Sequence, residues 1–146
     1  MAQMSDTEWR SFVSAGTLTG KLAVRRKDGR PHVTPVWFLL DESDPDNVQV
    51  LFNTGHDSLK GRALRRDPHF AMSVDDQRPP YSFVLLECTA EIVEDPVELL
   101  TWATRIAGRY MGAGRAEEFG ARNGVPGEYL VRGRIDRVTA VAALTG

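Results

Sequence analysis

The 146-residue chain has one cysteine, Cys88, which excludes an internal disulfide and any cluster of thiolate metal ligands. Its three histidines, His32, His56 and His69, show no metal-ligand spacing, so no metal site is expected. No apolar run approaches the roughly 18 residues of a membrane span, and no charged-then-apolar leader opens the chain. Neither charge sign dominates: 18 Lys and Arg face 20 Asp and Glu, for a net charge of −2. A surface built to coat nucleic acid or anionic lipid carries a large basic excess, so any basic site here must be local. Lysine itself is scarce, with 3 Lys against 15 Arg. These absences predict a soluble, cytoplasmic chain folding as one domain over residues 1–146, long enough to build its own core.

Within that frame the residues predict a mainly β (α+β) fold. Ser5 and Glu8 stand at capping-box spacing before Trp9, Phe12 and Val13, which marks a short opening helix that stops at Gly16. Leu18 to Arg26 and Pro31 to Leu40 read as strands joined through Asp28-Gly29, the pair best suited to the positive φ of a tight hairpin. Further strands are expected at 48–52, 69–75, 81–94, 129–135 and 138–144, the 81–94 strand with both faces buried. A short helix fits 57–66. Asp95-Pro96 opens a longer one whose buried face carries Leu99, Leu100, Ala103, Ile106, Ala107 and Tyr110, and a last short helix fits 115–123. Strands arriving as sequential hairpins favour an antiparallel sheet or small barrel over a doubly wound sheet.

Two motif-like stretches carry no chemistry. Gly16-Thr17-Leu18-Thr19-Gly20-Lys21-Leu22 has three residues between its glycines where a P-loop has four, and Leu22 replaces the hydroxyl that would hold Mg²⁺. Gly112-Ala113-Gly114 follows a helix and lacks the third glycine of a dinucleotide fingerprint. Cys88 lies in an apolar strand without an adjacent cation and reads as a buried, inert thiol.

The segment from Asn53 to Pro68 is different, because a strand end feeds a loop and then a helix N-terminus there. Lys60 occupies the first helical turn, where the helix dipole disfavours a cation by roughly 0.3–1 kcal/mol. An anion between Lys60 and the exposed backbone N–H groups would reverse that penalty, and phosphate is the usual candidate. The bland alternative is a solvated basic helix, with Arg65 and Arg66 completing its C-terminal turn.

The order of these segments resembles the FMN-binding split-barrel, or pyridoxamine-5′-phosphate-oxidase-like, superfamily, and within it the branch that uses the deazaflavin coenzyme F420. The resemblance rests on Asp28-Gly29-Arg30-Pro31-His32-Val33-Thr34-Pro35-Val36-Trp37 and on Lys60-Gly61-Arg62-Ala63-Leu64-Arg65-Arg66-Asp67-Pro68. Glu87-Cys88-Thr89-Ala90 and Arg132-Gly133-Arg134-Ile135-Asp136-Arg137-Val138 complete it, from about Leu18 to Val141. It implies a six- to seven-stranded antiparallel split β-barrel with peripheral helices, working as a homodimer with the cofactor in a groove between chains. Lys60 would then hold the cofactor phosphate, with Ser58, Leu59 and Arg62 around it. Thr34, Pro35, Val36 and Trp37 would flank the ring system, and Asn53 and Thr54 the ribityl-like chain. Tyr81 and Phe83 would reach in from the partner, although either reads equally as a core aromatic. Cys88 and Ala63 depart from many relatives, which carry Gly and Asn there.

The implied activity is F420-dependent transfer of a hydride to a conjugated, electron-poor small molecule. No Asp, Glu or His stands out as proton donor. An FMN-dependent oxidase or reductase is the alternative in the same fold, since both cofactors present a phosphate on a ribityl-type chain. A third reading is a non-catalytic flavin or F420 carrier, or a haem protein using His32, His56 or His69 as axial ligand.

Overall fold

The computed structural model describes residues 2–146. Eight strands occur among them: β1 (Ala2–Gln3), β2 (Gly20–Arg25), β3 (Pro31–Val36), β4 (Leu39–Asp41), β5 (Gln49–Gly55), β6 (His69–Asp75), β7 (Phe83–Val93) and β8 (Glu128–Ala142). The helices are α1 (Asp6–Val13), α2 (Leu59–Arg66), α3 (Pro96–Met111) and α4 (Ala116–Asn123), with a 3-10 turn at Ala113–Arg115. Every strand pairing is antiparallel, in the order β3-β2-β6-β7-β8-β5-β4, with β1 added beside β8. The two outermost strands of that path, β3 and β4, follow one another in the chain across Trp37 and Phe38. The sheet therefore curls into a barrel whose seam is bridged by covalent chain rather than by a hydrogen-bonded ladder.

Local signals account for most of these elements. Ser5 and Glu8 exchange both capping-box bonds at 3.2 Å. Gly29 takes φ +86° in the β2–β3 turn, where its N–H donates to the Arg26 carbonyl and the Arg30 N–H to the Asp28 carboxylate. The Asp95 carboxylate caps α3 by accepting from the Val97 and Glu98 N–H groups, with Pro96 at the first helical position.

Four expectations change. The stretch 31–40 is two strands, because the chain turns at Trp37–Phe38 and buries Phe38 completely in the barrel. The strands expected at 129–135 and 138–144 are the single 15-residue β8, which pairs with β7 from Leu130 to Val141 and with β5 at its start. In β7 burial alternates: Val84, Leu86 and Cys88 enter the core while Leu85 and Glu87 stay partly exposed, as a one-sided sheet requires. On α3 the buried large residue is Trp102, whereas Leu100 is 44% exposed.

Two apolar clusters hold the fold. Leu22, Phe38, Val50, Phe52, Met72, Val74, Val84 and Leu86 fill the barrel, with Phe52 and Phe70 edge to face at 5.5 Å. Outside it, Leu51 and Leu130 pack against Leu99 and Trp102 and so fasten α3 to the outer face of β5 and β8. Each large side chain so buried contributes about 1.5–3 kcal/mol relative to exposure. Arg132 reinforces this second contact, donating to Glu98 (2.7 Å), Asp41 (2.9 Å) and Gln49 (3.0 Å) beneath the Trp102 ring. Cys88 is buried, and burial with Asp136 and Glu87 nearby pushes its thiol up to about 12, so it is inert.

Candidate functional site

Because α3 lies over the outer face of β5, the end of that strand contributes to a pocket. Val50 and Phe52 point into the barrel, while Leu51 and, two residues on, Asn53 face the helix. The pocket is about 350 Å³ and is walled by Pro35, Val36 and Trp37 from the seam and by Asn53, Thr54 and Gly55 from β5. Ser58 and Lys60 close it from α2, Ala103 and Ile106 from α3, Asn123 from α4, and Glu128 from the start of β8.

The α2 N-terminus is built by a dense set of short bonds. The Ser58 Oγ accepts from the Gly61 N–H (3.0 Å) and donates to the Gly55 carbonyl (2.7 Å). Its only proton is thereby engaged, so across the 2.9 Å contact with Thr54 the Thr54 hydroxyl is the donor. Ser58 thus caps the helix and shapes the loop with all of its hydrogen-bonding capacity. Gly61 permits the close approach of α2 to β5, since a Cβ there would lie 2.3 Å from the Gly55 carbonyl oxygen. The His56 N–H donates to the Gly127 carbonyl at 2.9 Å, and the His56 Nδ1 lies 2.6 Å from the same oxygen, tying the loop to the chain entering β8.

Lys60 forms no hydrogen bond and no ion pair among the described residues. It is a cation in the first turn of a helix whose first turn holds no acid, a placement that an anionic ligand would stabilise. The end of the same sequence run is structural. The Asp67 N–H closes α2 on the Ala63 carbonyl (2.8 Å), and its carboxylate binds His69 (2.8 Å) and Arg25 (3.1 Å). The His69 N–H and imidazole hold that carboxylate below its ordinary range.

Trp37 is set by α3. Its ring lies parallel to Tyr110 at 5.1 Å with 5° between the planes. The Tyr110 hydroxyl donates to the Leu18 carbonyl (2.8 Å) and accepts from the Phe38 N–H (3.3 Å). Next to it the Arg109 guanidinium donates to the carbonyls of Val13 (2.7 Å), Phe38 (2.9 Å) and Gly16 (3.0 Å) and covers the Phe38 ring. One turn of α3 therefore immobilises the seam where the barrel edges meet.

Two polar atoms of the pocket lining are buried without a partner among the described residues: Asn53 Nδ2 and Glu128 Oε2. Buried polar atoms are ordinarily paired, so these two atoms are suited to a polar ligand. Burial raises the Glu128 carboxyl above its ordinary value, against the smaller opposing pull of His56 and Lys60. An unpaired cation, a planar aromatic wall and unpaired donor and acceptor atoms together fit a ligand with an anionic end, a polar chain and a flat ring.

The fold divides the residues singled out from sequence into three groups. Pro35, Val36, Trp37, Asn53, Thr54, Ser58 and Lys60 share the pocket, whereas Thr34, next to Pro35 in β3, is not part of its lining. Leu59 and Arg62 are on the other side of α2, in a groove of about 640 Å³ with Arg26, Lys27, Asp28 and Arg66. Tyr81 precedes β7 and Phe83 begins it; Phe83 pairs with Val141 at the far end of β8 from Glu128. Within one chain these two aromatics do not reach the pocket. Sequence reasoning missed Glu128, Gly55 and Asn123, and it placed Ala103 and Ile106 only as helix-core residues. Glu128 belongs to no motif; it joins the pocket because β8 pairs it with Gly55 across 73 positions of chain.

A family model described as pyridoxamine 5′-phosphate oxidase matches residues 5–142. Among solved structures, a conserved hypothetical protein from Mycobacterium tuberculosis superposes with TM-score 0.79 at 27% identity, covering 94% of this chain and 84% of that one. An F420 reductase superposes with TM-score 0.68 at 24% identity (88% and 94% covered). A haem storage protein from Vibrio cholerae shares the fold at TM-score 0.71 and 15% identity (97% and 98% covered). No curated protein matches the chain.

Proposed function

The chain belongs to the pyridoxamine 5′-phosphate oxidase family, and from that premise we propose that it is an F420-dependent oxidoreductase acting on a conjugated, electron-poor small molecule. The observation that carries this reading is the placement of an unpaired Lys60 and an immobilised Trp37 in one pocket, whose lining also holds buried polar atoms of Asn53 and Glu128 that lack partners. The structural likeness to an F420 reductase supports the choice of deazaflavin over FMN.

Each residue has a distinct part in this reading. Lys60 and the α2 N-terminus bind the phosphate, aided by the loop that Ser58 and Gly61 shape. Pro35, Val36 and Trp37 form the wall beside the ring, and the Tyr110 stack keeps that wall from turning away. Asn53 faces the chain between ring and phosphate. When bound, a reduced deazaflavin supplies a hydride. The protein contributes alignment and exclusion of water, which the aliphatic cover of Ala103 and Ile106 favours.

The working unit in this reading is a homodimer. Support comes from Tyr81, which is 42% exposed at the end of the barrel remote from its own pocket, and from the exposed Val33 (58%) on β3. A second copy would bring Tyr81 and Phe83 to the groove.

The test is a fluorescence titration of the purified protein against F420 and FMN, followed by turnover with reduced F420 and a panel of quinones and unsaturated lactones. Tighter binding of F420 and hydride transfer to at least one acceptor are expected. Preference for FMN would move the protein to the flavin-dependent members of its family, and binding of neither would refute the reading.

A further inference from the structure

Lys60 and Glu128 are the two charged side chains in the lining of the pocket, one of each sign. They do not neutralise each other, and neither forms an ion pair elsewhere among the described residues. The Glu128 Oε2 is buried and has no hydrogen-bond partner among them. Its place is beside the start of α2. A Cβ at Gly55 would lie 3.4 Å from the Glu128 Oε2 and 4.0 Å from the Ser58 backbone nitrogen, so the acid and the helix start flank one glycine. Lys60 and His56 are near enough to pull on the charge of the carboxyl. The His56 ring is taken up elsewhere, by the Gly127 carbonyl (2.6 Å) and by Asp57 (3.1 Å).

An anion drawn to Lys60 and to the N–H groups of α2 therefore meets a negative group as well as a positive one. The other side of the helix is built differently, for there Arg26, Lys27, Arg62 and Arg66 share a groove with the single acid Asp28. Phosphate esters are sensitive to this contrast. A monoester carries close to two negative charges above its second pKa of about 6, whereas a diester carries one and has no second proton to lose. Coulomb energy scales with ligand charge, so Lys60 alone would favour the dianion, and an ionised Glu128 cancels that advantage. What remains is the cost of taking the anion out of water, which is steeper for the dianion.

We propose that Glu128 sets the charge selectivity of the anion site at α2, admitting a phosphodiester monoanion in preference to a phosphomonoester dianion. This deepens the reading of a cofactor pocket and rests on it. Within that reading it supplies a chemical reason for F420, whose phosphate is a diester, over FMN, whose phosphate is a monoester. Glu128 is then a specificity residue that acts by its charge and that no local motif announces.

The experiment is a fluorescence titration at about pH 8, where a monoester is a dianion. The probes are two matched pairs, FMN and a deazaflavin 5′-phosphate, each beside the methyl ester of its own phosphate. Within a pair only a methyl group and one charge differ. Wild-type protein is expected to bind the methyl ester more tightly. Glu128→Gln keeps the shape and removes the charge, so it should tighten the monoester about tenfold and the diester about threefold, as doubling the ligand charge squares the factor. Glu128→Asp, which keeps the charge, should keep the preference. Circular dichroism checks folding, and Glu128→Ala, with the same expected ratio, takes the place of a glutamine variant that does not fold. A wild-type preference for the monoester, or an equal effect of charge removal on both ligands of a pair, overturns the charge selection and leaves the cofactor pocket standing. Failure of the wild type to bind F420 or any of the four probes overturns the pocket reading and the selection with it.

Discussion

Trp37 and Tyr110 lie face to face, their ring centres 5.1 Å apart and their planes within 5°, although 73 positions separate them in the chain. The stack joins the barrel seam to the end of α3, and the Tyr110 hydroxyl fixes its register by bridging Leu18 and Phe38. Offset aromatic contacts of this kind contribute about 0.5–1.5 kcal/mol beyond the area they bury.

Removing the Tyr110 hydroxyl therefore separates stability from ligand positioning. Tyr110→Phe should cost about 1–3 kcal/mol in urea unfolding, since the Phe38 N–H and Leu18 carbonyl lose a shared partner. With the stack intact, affinity for a planar ligand should hardly change. Tyr110→Ala should lose both, which titration of the same ligand would reveal.

Gly61 tests how closely α2 must approach β5. With a Cβ 2.3 Å from the Gly55 carbonyl oxygen, Gly61→Ala must push the helix outward. A loss of about 1–3 kcal/mol is expected by thermal or chemical unfolding, despite the higher helix propensity of alanine. Phosphate-bearing ligands should also bind more weakly, because the N-terminal N–H groups shift with the helix.

Lys60→Ala should behave in the opposite way. The lysine pairs with nothing among the described residues and stands against the helix dipole, so its removal should leave Tm unchanged or slightly raised. Binding of a phosphorylated ligand should fall about tenfold or more, as for a lost charge-assisted contact. Loss of affinity for an unphosphorylated ring compound of the same size would argue that Lys60 touches something other than the phosphate.

Glu128 gives the ligand-free protein a pH signature. Its carboxyl is raised above the ordinary 4.5 by burial, so the charged form is penalised in the folded state relative to the unfolded one. The stability this contributes is complete below the ordinary value and is lost as pH rises through the folded value. Glu128→Gln is neutral at every pH, so its Tm should exceed the wild type at pH 7 and converge with it below about pH 4.5. An acid-side gap of equal size would mean that the glutamine alters packing instead.

Much of the local structure was legible in the residues because its causes are local. Capping at Ser5 and Asp95, the Asp28-Gly29 turn and the cation at Lys60 each depend on neighbours within a few positions, and each stands where the sequence puts it. Strand boundaries at 31–40 and 129–144 were less legible. Whether a chain bends or continues there depends on what the partner strands offer, not on its own composition.

Composition and motif order by themselves determined a chain near charge balance, an antiparallel barrel and a basic helix start suited to an anion. Only the tertiary structure decided which residues share a cavity. It sent Lys60 and Arg62, two positions apart, to opposite sides of α2, because a helix turns about 100° per residue. It brought Glu128 beside Asn53 because antiparallel pairing of β5 with β8 sets side-chain neighbours by register, a relation that no short stretch of sequence contains.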